Sequence, residues 1–172
     1  MIYPPREDSH FLSETIKKNV KHKEITALDM GTGSGIQAET LNNLGIKKEN
    51  ILCVDINKEA VKFVKKKGFN CIYSDLFSKI KNKFDLIVFN PPYLPEHELD
   101  KEKDTSGGRK GNEVIIKFLR QAREHLNQNG KILLLTSNLT PRTDFEKIGY
   151  KSKMIAVTNL FFEELYVWEL RM

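Results

Sequence analysis

The sequence predicts an α/β fold: a doubly wound, mostly parallel seven-stranded sheet with an antiparallel last strand and helices on both faces. Three observations predict it. Runs such as NILCVDI, FDLIVFN and KILLLTS are apolar almost throughout instead of alternating, as strands buried on both faces are. Helical periodicity fills most of the gaps between such runs. The last two strand-like runs are separated only by a short link near Leu160–Glu163, too short for a crossover helix, so they must pair antiparallel.

Each element has a local reason. Phe11, Leu12, Ile16 and Val20 make a helical stripe from Ser9 to Val20, with Asp8 or Ser9 available to cap its start. EITALDM reads as the first strand and GTGSG as a tight loop. IQAETLNNLG comes next as a helix that Gly45 stops. NILCVDI is the second strand. NKEAVKFVKKKG is a helix capped by Asn57 and ended by Gly68. FNCIYSD and FDLIVFN are the third and fourth strands. GNEVIIKFLRQAREHLNQNG reads as one long amphipathic helix ending at Gly130, and KILLLTS as the fifth strand. A short helix around Arg142 to Ile148 precedes KMIAVTN and EELYVWELR, the closing pair. The polar stretch from Leu94 to Asn112, with Gly107, Gly108 and Gly111, is long for a loop inside a compact domain, which points to a functional or mobile segment.

The chain of 172 residues suits one domain over 1–172. No apolar run approaches the roughly 18 residues of a membrane span. The start, MIYPPREDSHFL, lacks a basic-then-apolar signal pattern, so a cytoplasmic protein is expected. The net charge is +5, carried by lysine clusters such as Lys17–Lys18 and Lys65–Lys67. Solvated helix ends account for these; an anionic partner is the alternative. Cys53 and Cys71 sit in strand-like runs and read as small buried hydrophobes. The four histidines have no metal-ligand spacing, so no metal is expected.

In ALDMGTGSG, Gly31, Gly33 and Gly35 let the chain turn and approach a ligand at the carboxyl end of a strand. Alone, such a loop is an ordinary strand-to-helix turn. Here acids accompany it. Asp29 precedes the loop. Asp55 ends the second strand, where a carboxylate can accept both ribose hydroxyls of a nucleoside. Asp75 ends the third, where it can accept from an adenine amino group. No Walker lysine comes after the glycines, so a triphosphate is disfavoured. An acidic rim favours a cationic ligand, and S-adenosylmethionine, with its sulfonium, ammonium, ribose and adenine, matches it.

The fourth strand stops at Asn90, Pro91, Pro92 and Tyr93. Prolines end a sheet ladder and stiffen the chain beyond it. The Asn90 side-chain carbonyl and the Pro91 carbonyl can each accept from an –NH2 group, and Tyr93 can stack on a planar amide or base. The tetrapeptide is thus a clamp for a flat, conjugated amino group. A glutamine amide fits it. An exocyclic amine of adenine (N6) or guanine (N2) in DNA or RNA is the alternative; a cofactor-binding subunit without turnover is a third reading. A lysine amine needs deprotonation more than an amide clamp.

With these residues in view, the chain resembles the class I, Rossmann-like methyltransferases, and more narrowly the HemK family of protein-glutamine N5-methyltransferases in its short eukaryotic and archaeal branch. YPPREDS is similar to that family's amino-terminal element. LDMGTGSG is similar to its cofactor loop, VDIN to its ribose-binding acid, SDLF to its adenine contact and NPPY to its clamp. SGGRKGNEVIIKFL resembles its glycine-rich entry to the long helix. The resemblance implies Ser9, Asp29, Gly31, Asp55, Ile56, Asp75 and Leu76 as cofactor contacts, with Asn90 serving both cofactor and substrate. Pro91, Pro92 and Tyr93 complete the clamp. It also implies a substrate, the GGQ glutamine of a class I translation termination (release) factor, and a small zinc-binding activator protein pairing along residues 69–75.

Overall fold

The computed structural model describes residues 2, 4–92 and 112–172. The described residues form a seven-stranded sheet in the order β3-β2-β1-β4-β5-β7-β6. Its strands are β1 (Ala27–Met30), β2 (Ile51–Asp55), β3 (Asn70–Tyr73), β4 (Phe84–Phe89), β5 (Leu126–Ser137), β6 (Lys151–Leu160) and β7 (Glu163–Arg171). β3 through β5 pair in parallel, while β7 runs antiparallel to both β5 and β6. Among the described residues five α-helices lie on the sheet: α1 (Glu7–Asn19), α2 (Ile36–Asn43), α3 (Lys58–Lys66), α4 (Glu113–Ala122) and α5 (Phe145–Ile148).

Successive strand residues point to opposite faces, so two cores form. One packs Leu12 and Ile16 of α1, Ala38 and Leu41 of α2 and Val61 and Val64 of α3 against Ala27, Cys53, Val88 and Leu133. The other packs Ile115, Phe118 and Leu119 of α4 and Phe145 of α5 against Leu28, Val54, Ile87 and Leu134. Cys53 and Cys71 are free, buried and opposite each other across β2 and β3. Asn57 caps α3 by accepting from the Glu59 N–H.

Four sequence expectations need correction. α1 begins at Glu7, with Arg6 at its N-cap and no side-chain cap; Asp8 and Ser9 are buried in its first turn. The third strand stops at Tyr73, so Asp75 lies just past it. The short helix starts only at Phe145, where the Asp144 carboxylate accepts from the Lys147 N–H. The helix expected over 111–130 ends at Ala122; a 3₁₀ turn over Arg123–His125 comes next, and β5 begins at Leu126. Leu126 pairs with Phe84, and Asn127 Nδ2 donates to Asp85 Oδ1 at 2.8 Å. These cross-strand partners override the helical spacing. Gly130 is no helix stop. A Cβ there would lie 2.9 Å from the backbone oxygens of Asn127 and Phe84, so only glycine permits that approach.

Candidate active site

Sheet register lines up the carboxyl ends of four strands. Tyr73 opposes Asp55, Val54 opposes Met30, and Met30 opposes Phe89. One residue further along, Gly31 and Asn90 leave adjacent strands at the crevice where strand order reverses, the place where ligands bind in such sheets. Gly31 has φ +62°, and a Cβ there would stand 3.2 Å from the Phe89 ring. A side chain at this position meets both a strained backbone and an occupied space.

Backbone amides and two buried carboxylates shape the glycine loop. Thr32 N–H donates to the Val54 carbonyl at 2.9 Å and Gly35 N–H to the Thr32 carbonyl at 2.7 Å. Gly33 N–H donates to Asp55 Oδ2 at 2.8 Å. Gly33 and Gly35, like Gly31, have positive φ. Asp29 lies under the loop, 2% exposed, and its Oδ2 accepts from Thr32 Oγ1 at 2.6 Å and from Ala38 N–H at 3.2 Å. Its observed contacts are with the loop and the start of α2.

Burial pushes the Asp29 carboxyl up to about 7; the Thr32 and Ala38 hydrogen bonds oppose the rise, and the Asp55 charge adds to it. The folded protein therefore holds a proton that the unfolded chain, with a carboxyl near 3.8, releases more readily. This contribution to stability is complete below about pH 4 and is lost as pH rises through about 7. Unfolding free energy from urea titrations should thus fall between pH 5 and pH 8 by an amount that Asp29→Asn removes, since the amide oxygen can still accept from Thr32 and Ala38. Equal pH slopes in both proteins would contradict this account.

Asp55 is 8% exposed, and besides Gly33 it takes the Asn57 N–H on Oδ1 at 2.8 Å. Ile56 beside it is 57% exposed, an apolar surface against which a planar ring can lie. Ser74 N–H donates to the Asp55 carbonyl, which carries the chain from β3 to the same edge. There Asp75 pairs with Lys117 of α4 at 2.8 Å, both side chains about half exposed. Leu76 has φ +46°, unusual for a branched side chain. Ser74 Oγ donates to the Leu76 carbonyl and holds this turn. Departures of this kind cluster at ligand clamps.

The contact that sequence reasoning missed is between Asp8 and Asn90. Asn90 Nδ2 donates to Asp8 Oδ2 at 2.9 Å, and Ser9 Oγ donates to Asp8 Oδ1 at 3.4 Å. Asp8 and Ser9, the two residues that local pattern offers as helix caps, are 6% and 4% exposed. A carboxylate only accepts, so it fixes which way the Asn90 amide faces. Asn90 Oδ1 then points away from Asp8, and it is buried with no hydrogen-bond partner among the described residues. The Ser9 carbonyl accepts from Gln37 Nε2 at 2.9 Å, tying α1 to α2 beside the loop. Pro91 is buried and Pro92 half-buried. Tyr93 and the segment 94–111 lie outside the described residues.

The glycine loop with its acids, and an amide acceptor one strand away, are what a group-transfer site for a nucleoside-bearing donor requires. The family described as methyltransferase small domain matches residues 7–161. The chain belongs to that family. A putative protein N5-glutamine methyltransferase of Methanocaldococcus jannaschii is 34% identical to it, over 96% of this chain and 89% of the relative. The mouse methyltransferase HEMK2 is 30% identical, over 78% of this chain and 71% of the relative. A release factor glutamine methyltransferase of Lactococcus lactis is 32% identical, and the match spans 93% of this chain but only 60% of that longer protein. Among solved structures, the methyltransferase is similar to the E. cuniculi Mtq2-Trm112 complex, which is described as responsible for methylation of the eRF1 translation termination factor. TM-score is 0.77 and identity 25%, covering 98% of this chain and 97% of that one. Among the described residues, no helix of this methyltransferase is long and apolar enough to cross a membrane.

Proposed function

We propose that this methyltransferase, acting as one domain over 1–172 in the cytoplasm, transfers a methyl group from S-adenosylmethionine to a glutamine side-chain amide. The acceptor is the GGQ glutamine of a class I translation termination factor. The observation that carries the reading is the orphaned Asn90 Oδ1. A buried acceptor without a partner costs about 1–3 kcal/mol. Beside a glycine-lined crevice, the group that relieves it is an N–H of the acceptor amide. The names of two relatives, a protein N5-glutamine methyltransferase and a release factor glutamine methyltransferase, support a glutamine acceptor.

The residues present fit the methyl donor. Asp55 offers carboxylate oxygens to a ribose, and Ile56 offers an apolar surface to a base. Gly33, Gly35, Asp75, Leu76, Ser9 and Asp29 complete or support this set, and Tyr93 completes the clamp. S-adenosylmethionine, when bound, supplies an electrophilic methyl group on a positively charged sulfur.

Amide conjugation, measured by a rotation barrier of roughly 18–20 kcal/mol, makes the glutamine nitrogen a poor nucleophile. Hydrogen bonds to Asn90 Oδ1 and the Pro91 carbonyl, at about 1–3 kcal/mol each, offset only part of that. Holding the nitrogen in line is worth about 7–11 kcal/mol, so positioning is the larger effect. Asp8 is occupied by Asn90 and Ser9 and serves to orient, not to take the proton. The N–CH3 bond would form as the S–CH3 bond breaks and a neutral thioether leaves, and the nitrogen, then acidic, loses its proton to solvent.

For a partner, we propose a small zinc-binding activator that adds a strand along β3. β3 is an edge of the sheet, and Tyr73 on it is 40% exposed. An open edge is a template for strand addition.

The test is incubation with labelled methyl donor and a panel of termination factor, tRNA, rRNA and DNA, with and without the activator. Mass spectrometry should place the label on the GGQ glutamine. Label on a base amine instead would replace this reading with the nucleic-acid one.

A further inference from the structure

On the sheet face away from α1, α2 and α3, a pocket of about 480 Å³ opens between α4 and α5. Its lining includes Arg120 and Arg123 from the α4 end, Arg142 from the loop before α5, and Lys147 from α5 itself. The chain is rich in lysine and has only six arginines, of which three converge here. The one carboxylate in the lining, Asp144, already accepts from the Lys147 N–H to cap α5. Among the described residues, Arg120, Arg142 and Lys147 form no ion pair within 4.0 Å. Arg123 differs: its Nη1 donates to the Ile148 carbonyl at 3.1 Å and so finishes α5.

We propose that this pocket binds the phosphate backbone of a nucleic acid. Guanidinium forks match phosphate oxygens in pairs, which suits Arg120 and Arg142 to this role in a chain whose cations are mostly lysine. Arg120 and Arg123 are three residues apart on one wall, about 5–6 Å between Cβ atoms, with Arg142 and Lys147 supplied by the facing wall. Two facing rows of cations suit a linear polyanion better than one compact anion. The lining holds no aromatic ring on which a base could stack; Ile116 and Ile148 are its apolar members. Binding therefore reads backbone and not sequence. Asn112 Nδ2, just before α4, donates to the Pro141 carbonyl at 3.3 Å. That places the Arg142 end of the pocket toward the carboxyl edge of the sheet, the edge that carries the clamp.

The test uses the whole chain and a fluorescently labelled 20-nucleotide single-stranded RNA, read by anisotropy across a salt series. Each single-strand phosphate contact contributes about 0.7 to the slope of log affinity against log salt. Neutralising Arg120, Arg142 and Lys147 to Gln should lower affinity at low salt at least tenfold and reduce that slope by about 2. Arg123 stays, because it holds α5. A control with Lys18, Lys21 and Lys47 changed to Gln has the same net charge and should bind within about twofold of the parent. DNA of equal length should bind like RNA. The proposal is overturned if the control loses as much as the pocket variant, if no RNA binds at low salt, or if polyglutamate of matched charge competes equally well.

Discussion

Asn90→Ala is expected to leave the protein folded and to reduce methyl transfer by about 10³-fold or more. The substitution removes the buried Oδ1 acceptor and the Nδ2 donor that satisfies Asp8. Losing a hydrogen bond is worth about tenfold, but losing alignment of a weak nucleophile reaches further into the roughly 7–11 kcal/mol that orientation supplies. The loss should appear chiefly in kcat, with a smaller loss of affinity for the methyl donor, and circular dichroism should match the parent. Asp8→Ala should reduce transfer less, since Asn90 remains but is free to turn its amide. Combining the two should add nothing to Asn90→Ala, because Asp8 acts through Asn90. Near-parental turnover in Asn90→Ala would remove this residue from the clamp. Additive losses would mean that Asp8 has a role of its own.

Asp55→Ala should weaken binding of S-adenosylmethionine by about 10²-fold or more. Hydrogen bonds to a charged group contribute about 1.5–3 kcal/mol each, and a carboxylate that accepts two ribose hydroxyls loses both. The loop suffers as well. Gly33 N–H and Asn57 N–H each lose an acceptor at 2.8 Å, so the cradle loosens before any ligand arrives. Asp55→Asn separates the two effects. Its amide oxygen can keep one of these amides while it lacks the charge. Calorimetry should rank the parent above Asp55→Asn and Asp55→Asn above Asp55→Ala. Parent-like affinity in the alanine variant would exclude Asp55 from the binding site and, with it, the ribose assignment.

The parts of this site that could be read in advance are those held within a few consecutive residues. A glycine loop after a strand, acids near strand ends, and Asn90 with two prolines after it are local chemistry, and a strand-end position in a parallel sheet implies a shared edge. The fold was readable for a similar reason: apolar runs and helical stripes report burial residue by residue. The boundary after Ala122 was not. Leu126 fits a helical stripe as well as it fits a strand, and only its pairing with Phe84 decides the matter.

The order of amino acids alone thus settled a doubly wound sheet, a cradle at its carboxyl edge and the residue types gathered there. Tertiary structure decided what those residues touch. It took Asp8 from a helix start to Asn90, across 82 positions of chain. It turned Asp29 toward the loop above it, and it brought three arginines from two separate segments to one pocket. Periodicity and propensity act over a few residues, whereas these contacts depend on which face each strand and helix presents once packed, and no local pattern encodes that.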